Sequence, residues 1–372
     1  MNAKIRVLFA IPALDRGGPD RVVFERLSTL DRSRFAPSLM GSQGDGHYHS
    51  RLPPDVPVHV LGSSARYPVV RAIRHVRASR PDIVFATLRM ITTLGVAAPA
   101  LPSQTRLVVR PASPVTADFA ALVQQSLVKH RVARALVLAS LRRADAVVCQ
   151  SSSMQSDLAT LVGGATSLHV VGNPIDVQRV RVSASSSVPL RGDPALVSVG
   201  RLVPLKGYDL LLRALVPLRR AYPGLHLTIL GEGPERAALE RLARDLAVAD
   251  AVTFAGFVDE PLPYVRAANL FVLPSRYDAF SNAALEALAC GTPVVLTDCP
   301  GANRELVVPG LNGQLASAPE VEPLVHATQL AISQLARFDR TEITRDCDRR
   351  FGASKIVAAY ERVFSLVAEG TL

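Results

Sequence analysis

Residues 271–296 read FVLPSRYDAFSNAALEALACGTPVVL, and the reading of this stretch decides the fold. Phe271-Val272-Leu273 is a short apolar strand that stops at Pro274, and a polar loop follows. An alanine-rich helix then covers Ala283–Cys290. Gly291 ends it, Pro293 forbids its continuation, and Val294-Val295-Leu296 begins a second strand. Asp278, Ser281 and Asn282 crowd the loop ahead of the helix, and Ser or Asn is a preferred N-cap. Such a β-loop-α-β unit aims backbone N–H groups and the positive end of a helix at the carboxyl edge of a sheet. Open α/β sheets bind anionic ligands there. Two carboxylates stand at the corners, Asp278 in the loop and Glu286 one turn into the helix. Glu286 lies among alanines and leucines, where a structural acid needs a compensating partner. Alone, the stretch fits equally well an ordinary crossover with a capping Asp and a surface Glu.

The segment resembles the E-x7-E signature of the retaining nucleotide-sugar glycosyltransferases of family 4, which have the GT-B fold. In that family the first Glu precedes Gly-Phe and the second lies eight residues on. Asp278-Ala279-Phe280 and Glu286 keep the spacing, with Asp in place of Glu and Ala in place of Gly. A second motif, Val199-Gly200-Arg201-Leu202-Val203-Pro204-Leu205-Lys206-Gly207, follows the first strand of the second half. Arginine offers a planar fork for phosphate oxygens and lysine a mobile point charge, so both can reach one diphosphate. The motif matches the family's G-R-x-x-x-x-K-G pattern, and the resemblance implies that Arg201 and Lys206 grip the donor's diphosphate.

Weaker matches extend the likeness over most of the chain. Leu230-Gly231-Glu232-Gly233-Pro234 resembles the family's strand-to-helix turn and is read as structural. Gly256-Phe257-Val258 matches the strand end where the family reads the nucleobase through backbone groups. Asn173-Pro174-Ile175-Asp176 resembles the segment that leads into the linker. Gly17-Gly18 resembles a loop whose small residues let the backbone approach diphosphate and acceptor. By the same resemblance Asp278 holds donor-sugar hydroxyls and Glu286 the ribose hydroxyls, while the loop amides near Phe280, Ser281, Asn282 and Ala283 face the diphosphate. The family's fold implies two doubly wound Rossmann-like α/β domains facing across a cleft, with no cofactor beyond the nucleotide-diphosphate sugar and no metal.

Two departures stand out. Asp278 is shorter than Glu by one C–C bond, roughly 1.5 Å. Family members also often carry a His after a strand near Leu107–Val109, where this chain reads Val109-Arg110-Pro111-Ala112-Ser113-Pro114, which leaves Arg110 and Ser113 as substitutes.

The 372 residues suit two domains. Short strands alternate with helices in both halves, from Ile5–Ile11 onward, as parallel sheets covered on both faces require. The best linker is VRVSASSSVPLRGDP, residues 180–194. Domains are therefore expected over 1–182 and 183–354, with the terminal helix, 355–372, returning to the first. Charge is uneven: residues 1–182 carry 23 Lys/Arg against 11 Asp/Glu, and residues 183–372 carry 19 against 21. Arg66, Arg71, Arg74, His75, Arg77 and Arg80 surround Val69, Val70, Ile73 and Val76, and a second basic amphipathic pattern covers Phe119–Arg143. Such helices can lie on anionic membranes, although a solvated arginine-rich face reads the same way. Nucleic acid is not an expected partner, because Trp is absent, aromatics are 5% and no recognition motif occurs.

Four cysteines show neither CxxC nor metal spacing, as in a reduced cytoplasmic protein. No stretch is apolar enough to span a bilayer. The expected function is transfer of a sugar from a nucleotide-diphosphate sugar to a glycan or glycolipid acceptor, in the cytoplasm or peripherally on the inner membrane face. The alternative is a catalytically silent nucleotide-sugar-binding protein of the same fold. Asp346-Cys347-Asp348 matches the D-x-D string of metal-dependent transferases but sits in a charged late helix and is read as a surface pair. A dinucleotide oxidoreductase would need G-x-G-x-x-G after the first strand, which is missing.

Overall fold

A computed structural model describes residues 3–15, 18–41, 46–62, 67–123, 127–164, 166–186 and 188–371. The chain divides into two compact units, Met1–Pro174 with Ser354–Leu372, and Ile175–Ala353. Gly17, Arg66 and the middle of the second basic pattern, 124–126, lie outside the described residues.

The first unit is built on seven strands: β1 (Ile5–Ile11), β2 (Phe35–Gly41), β3 (Val58–Val60), β4 (Ile83–Thr87), β5 (Arg106–Arg110), β6 (Ala146–Cys149) and β7 (Ser167–Val170). Every pairing is parallel, in the order β3-β2-β1-β4-β5-β6-β7. Parallel neighbours need crossovers, and helices supply them, among them Gly18–Thr29, Val69–Ser79, Leu127–Arg142 and Ser152–Val162. The terminal helix Ala353–Glu369 packs Tyr360, Val363 and Phe364 against Phe9, Phe35 and Phe85.

The second unit has six parallel strands: β8 (Ala195–Val199), β9 (His226–Leu230), β10 (Val252–Gly256), β11 (Leu270–Leu273), β12 (Val294–Thr297) and β13 (Gly313–Ala316). Their order is β10-β9-β8-β11-β12-β13, so the winding reverses between β8 and β11. β11 shows why its sequence is apolar without alternation. Leu270 and Val272 enter one core beneath the helices Tyr208–Ala221 and Val321–Ser333, and Phe271 and Leu273 enter another beneath Asn282–Ala289 and Arg340–Phe351. A parallel strand covered on both faces has no solvent side to make polar.

The observed boundary lies upstream of the expected one at 182/183. Ile175 donates to Phe351 O at 2.9 Å and accepts from Ala353 N at 2.9 Å, and Val177 and Val180 are buried in the second unit's core. Asp176 caps the helix Val177–Ser183 by accepting from Arg179 N at 3.0 Å, so the first residues of the expected linker are helical. The second basic pattern, read as one, contains two helices, Val115–Val123 and Leu127–Arg142. Among the described residues no helix is long and apolar enough to cross a membrane.

Candidate active site

The loops after β8 and β11 meet at the reversal of the second sheet, where an open parallel sheet leaves room for a ligand. Residues after β8 pass through a short turn, Pro204–Lys206, into the helix Tyr208–Ala221. Gly207 holds φ +67°, and a Cβ there would lie 2.1 Å from Pro274 O, so only glycine lets this loop rest on the end of β11. Lys206 Nζ then reaches Asp278 Oδ2 at 2.5 Å, with side chains 19% and 13% exposed.

Asp278 is fixed through its own backbone. Its N–H donates to Pro300 O at 3.1 Å and its carbonyl accepts from Ala302 N at 3.4 Å. Between them Gly301, at φ +133°, passes so close that a Cβ would lie 1.7 Å from Asp278 O. The carboxylate is felt around it. Burial and then Asp278 push the Cys299 thiol up to about 12, and burial, with Asp278 adding to it, keeps the Tyr208 phenol neutral and far above its ordinary range.

Arg276 joins the two loops and was not singled out from the sequence. Its amide donates to Leu205 O at 2.8 Å, its Nη1 to Pro204 O at 2.7 Å, and its guanidinium pairs both oxygens of Asp209 at 2.8 and 2.7 Å. Burial opposes ionisation of Asp209, yet Arg276 holds its carboxyl below the usual range. Nothing near Arg276 in sequence marks this role, because its partner is 67 positions away.

The signature helix is Asn282–Ala289, one residue earlier at each end than expected, and Ser281 caps it by accepting from Ala284 N at 3.2 Å. Asn282 and Ala283 stand half-buried in its first turn, and Glu286 is half-buried one turn on. Burial and then Glu286 push the Cys290 thiol up to about 12. Phe280 is a core residue, its ring edge-on to Phe351 at 5.6 Å, so only its backbone is available to a ligand. Arg201 is exposed and pairs with no carboxylate among the described residues.

The remaining motifs line the same edge. Gly231 donates to Gly256 O at 2.7 Å, and Leu202 to Glu232 O at 2.9 Å, which ties the loops after β8, β9 and β10 together. Past Gly256, Phe257 is 57% exposed and Val258 half-buried.

In the first unit the expectations fare differently. Gly18 opens the helix Gly18–Thr29, and Gly17 is outside the described residues. Arg110, expected as a substitute for histidine, is only 1% exposed, and its guanidinium points inward. Its Nε donates to Tyr360 Oη at 3.1 Å and its Nη2 to Asn173 Oδ1 at 2.6 Å, and it is therefore removed from the ligand-binding candidates. Ser113 is half-buried and donates to Asp118. Asp346, expected at the surface, is buried between Arg349 and Arg350.

Two family profiles divide this chain between them: Glycosyltransferase Family 4 over residues 16–179 and Glycosyl transferases group 1 over residues 184–340. The chain belongs to the family 4-like glycosyltransferases with the GT-B fold. Glycogen synthase of Mycobacterium tuberculosis is 35% identical over 228 residues, 59% of this chain and 54% of that protein. The lipopolysaccharide core biosynthesis glycosyltransferase LpsE of Rhizobium meliloti is 30% identical over 226 residues, 60% and 63% of the two. This chain thus spans about half to three-fifths of the length of these curated relatives. The crystal structure of Anabaena HepE in complex with UDP superposes with a TM-score of 0.75 at 20% identity, over 97% of this chain and 99% of that one, a likeness of fold.

Proposed function

We propose that this family 4-like glycosyltransferase transfers a sugar from a nucleotide-diphosphate sugar to a glycan or glycolipid, with retention and without a metal ion. One observation carries the reading: two loops 72 positions apart place Lys206 against Asp278 at the reversal of the sheet, beside exposed Arg201 and the capped N-terminus of a helix. Breaking the bond between the anomeric carbon and the diphosphate leaves the electron pair on a departing anion. Arg201, Lys206 and the first-turn amides at Asn282 and Ala283 supply the positive charge that this anion needs. Asp278 takes donor-sugar hydroxyls and Glu286 the ribose hydroxyls. The acceptor hydroxyl attacks from the departing side, and its proton passes to a diphosphate oxygen.

Support for the donor class comes from HepE, whose structure contains UDP, and for the acceptor class from LpsE, which acts in lipopolysaccharide core biosynthesis. Peripheral contact with an anionic membrane is supported by the helix Leu127–Arg142, which exposes Leu127, Val128, Val132 and Leu136 beside Arg131 and Arg134. Burial of Arg110, which leaves no imidazole-like group at that position, favours the second reading of a binding protein without transfer.

Calorimetry with UDP, GDP and ADP in EDTA tests the reading. Tight binding of one nucleoside diphosphate is expected, and binding of none overturns it. Transfer from sugars on that nucleotide to glycan acceptors then separates enzyme from silent binder. Co-sedimentation with phosphatidylglycerol but not phosphatidylcholine vesicles is the expected sign of membrane contact.

A further inference from the structure

The Lys206–Asp278 pair creates a conflict for the ligand proposed above. A diphosphate needs the ammonium of Lys206, which already donates to Asp278 Oδ2 at 2.5 Å. The Asp278 backbone cannot withdraw, because Pro300, Gly301 and Ala302 hold it from both sides, so its carboxylate stays near the site even when the pair opens. Nor is its charge well screened, as the side chain is 13% exposed and its field reaches the buried Tyr208 and Cys299. Bringing a diphosphate to Lys206 therefore makes two anions share one ammonium in a poorly hydrated place, with Arg201 left to serve the diphosphate alone. The carboxylate loses a charge-assisted hydrogen bond and needs new donors.

The two nucleotides of a transfer reaction differ in what they offer. An intact donor carries sugar hydroxyls that can donate to the released Asp278. A bare nucleoside diphosphate keeps only its ribose hydroxyls, which the reading above gives to Glu286. No hydroxyl of a transferred sugar then reaches Asp278, and the extra terminal charge of the diphosphate adds to the repulsion. We propose that the Lys206–Asp278 ion pair distinguishes the intact donor from its nucleoside diphosphate product, opening for the first and helping to expel the second. This inference rests on the donor-site reading above and assigns Asp278 a specificity role beyond holding the sugar. The side chain is an aspartate here, and its pairing with Lys206 is a property of this chain.

Calorimetry on the full chain with three probe pairs (UDP and UDP-glucose, GDP and GDP-mannose, ADP and ADP-glucose) tests it. Asp278→Asn keeps the side-chain shape and removes the charge. The expected result is about tenfold tighter binding of the nucleoside diphosphate, with the intact donor unchanged or weaker, so the preference for donor over product falls by about tenfold or more. Product inhibition by the nucleoside diphosphate should strengthen in step. A merely structural Asp278 would weaken both ligands alike, and that outcome overturns the inference, as does equal or weaker diphosphate binding by the variant. Asp278→Ser provides a second uncharged side chain should the asparagine fail to fold, with the same expected change in preference. If the unmodified chain binds no member of any pair, the donor-site reading itself fails and takes the inference with it.

Discussion

Lys206 Nζ lies 2.5 Å from Asp278 Oδ2 although 72 positions separate the residues. Each belongs to a different βα loop, and each loop is forced into place by a glycine, Gly207 against Pro274 O and Gly301 against Asp278 O. The pair is therefore a consequence of backbone packing, and its effects can be tested by disturbing that packing as well as the charges.

Arg276 acts as a positioning residue between the loops. Arg276→Ala should reduce nucleoside diphosphate affinity about tenfold while costing roughly 1 kcal/mol of stability, because its ion pair with Asp209 is partly exposed. Arg276→Lys should fail to restore affinity, since a point charge cannot span both Asp209 oxygens and the Pro204 carbonyl. Calorimetry with a urea denaturation curve checks both; full rescue by lysine would assign Arg276 only a charge.

Gly301→Ala should destabilise the second unit by roughly 2–4 kcal/mol, through the clash with Asp278 O and the positive φ. The reading is a shift of the denaturation midpoint. A stability equal to that of the unmodified chain would mean that the Asp278 backbone is not held as described.

The two phenylalanines of the candidate site should separate cleanly. Phe280→Ala removes a ring packed on Phe351 in the core and should cost about 3–5 kcal/mol. Phe257→Ala removes an exposed ring and should change stability by no more than about 0.5 kcal/mol. If Phe257 lies against the nucleobase, its variant alone should lose affinity in a fully folded protein, measured by calorimetry at a temperature below both unfolding transitions.

Tyr360 carries a pH dependence. Burial raises its phenol, but Arg26, stacked 3.7 Å from the ring centroid, and Arg110, bonded to the hydroxyl at 3.1 Å, outweigh it and hold the group below its ordinary value of 10. Among the described residues neither guanidinium has a carboxylate partner. A depressed folded value means stability that is fully present above the unfolded value and lost as pH falls through the folded one. The buried cysteines act in the opposite sense: thiols pushed from 9 up to about 12 contribute stability that is lost above pH 9. The Tyr360 contribution is therefore read below pH 9, as the difference between the unmodified chain and Tyr360→Phe. With no tryptophan and seven tyrosines, absorbance near 295 nm follows phenolate directly, and one group titrating early in the native state and normally in denaturant is expected.

Native thiol reactivity gives an independent check on the cores. Cys149, Cys299 and Cys347 are buried, and Cys290 is half-buried beside Glu286. All four should react with a thiol reagent at pH 8 only after denaturation, and rapid labelling of a buried thiol would contradict the packing around it.

Much of the architecture was legible because its signals are short-range. The strand Ile5–Ile11 has the bounds that its apolar run indicates, and Phe271-Val272-Leu273 falls within β11, which begins one residue earlier at Leu270. Ser281 caps where its residue type and position imply. The motif spacings also pointed to the loops after β8 and β11, since loop chemistry is written in consecutive residues.

What the sequence by itself determined, then, is the alternation of strand and helix, the family, and the loops that carry charge. The tertiary structure decided the rest. It turned Arg110 inward to Tyr360, placed Phe280 in a core and left Phe257 exposed, assigned Ile175 and the helix after it to the second unit, and joined Arg276 to Asp209. The physical reason is range. Periodicity and capping act within a few residues, whereas burial direction and ion pairing depend on which strands lie side by side, and β8 meets β11 only because the sheet order brings together segments some seventy residues apart.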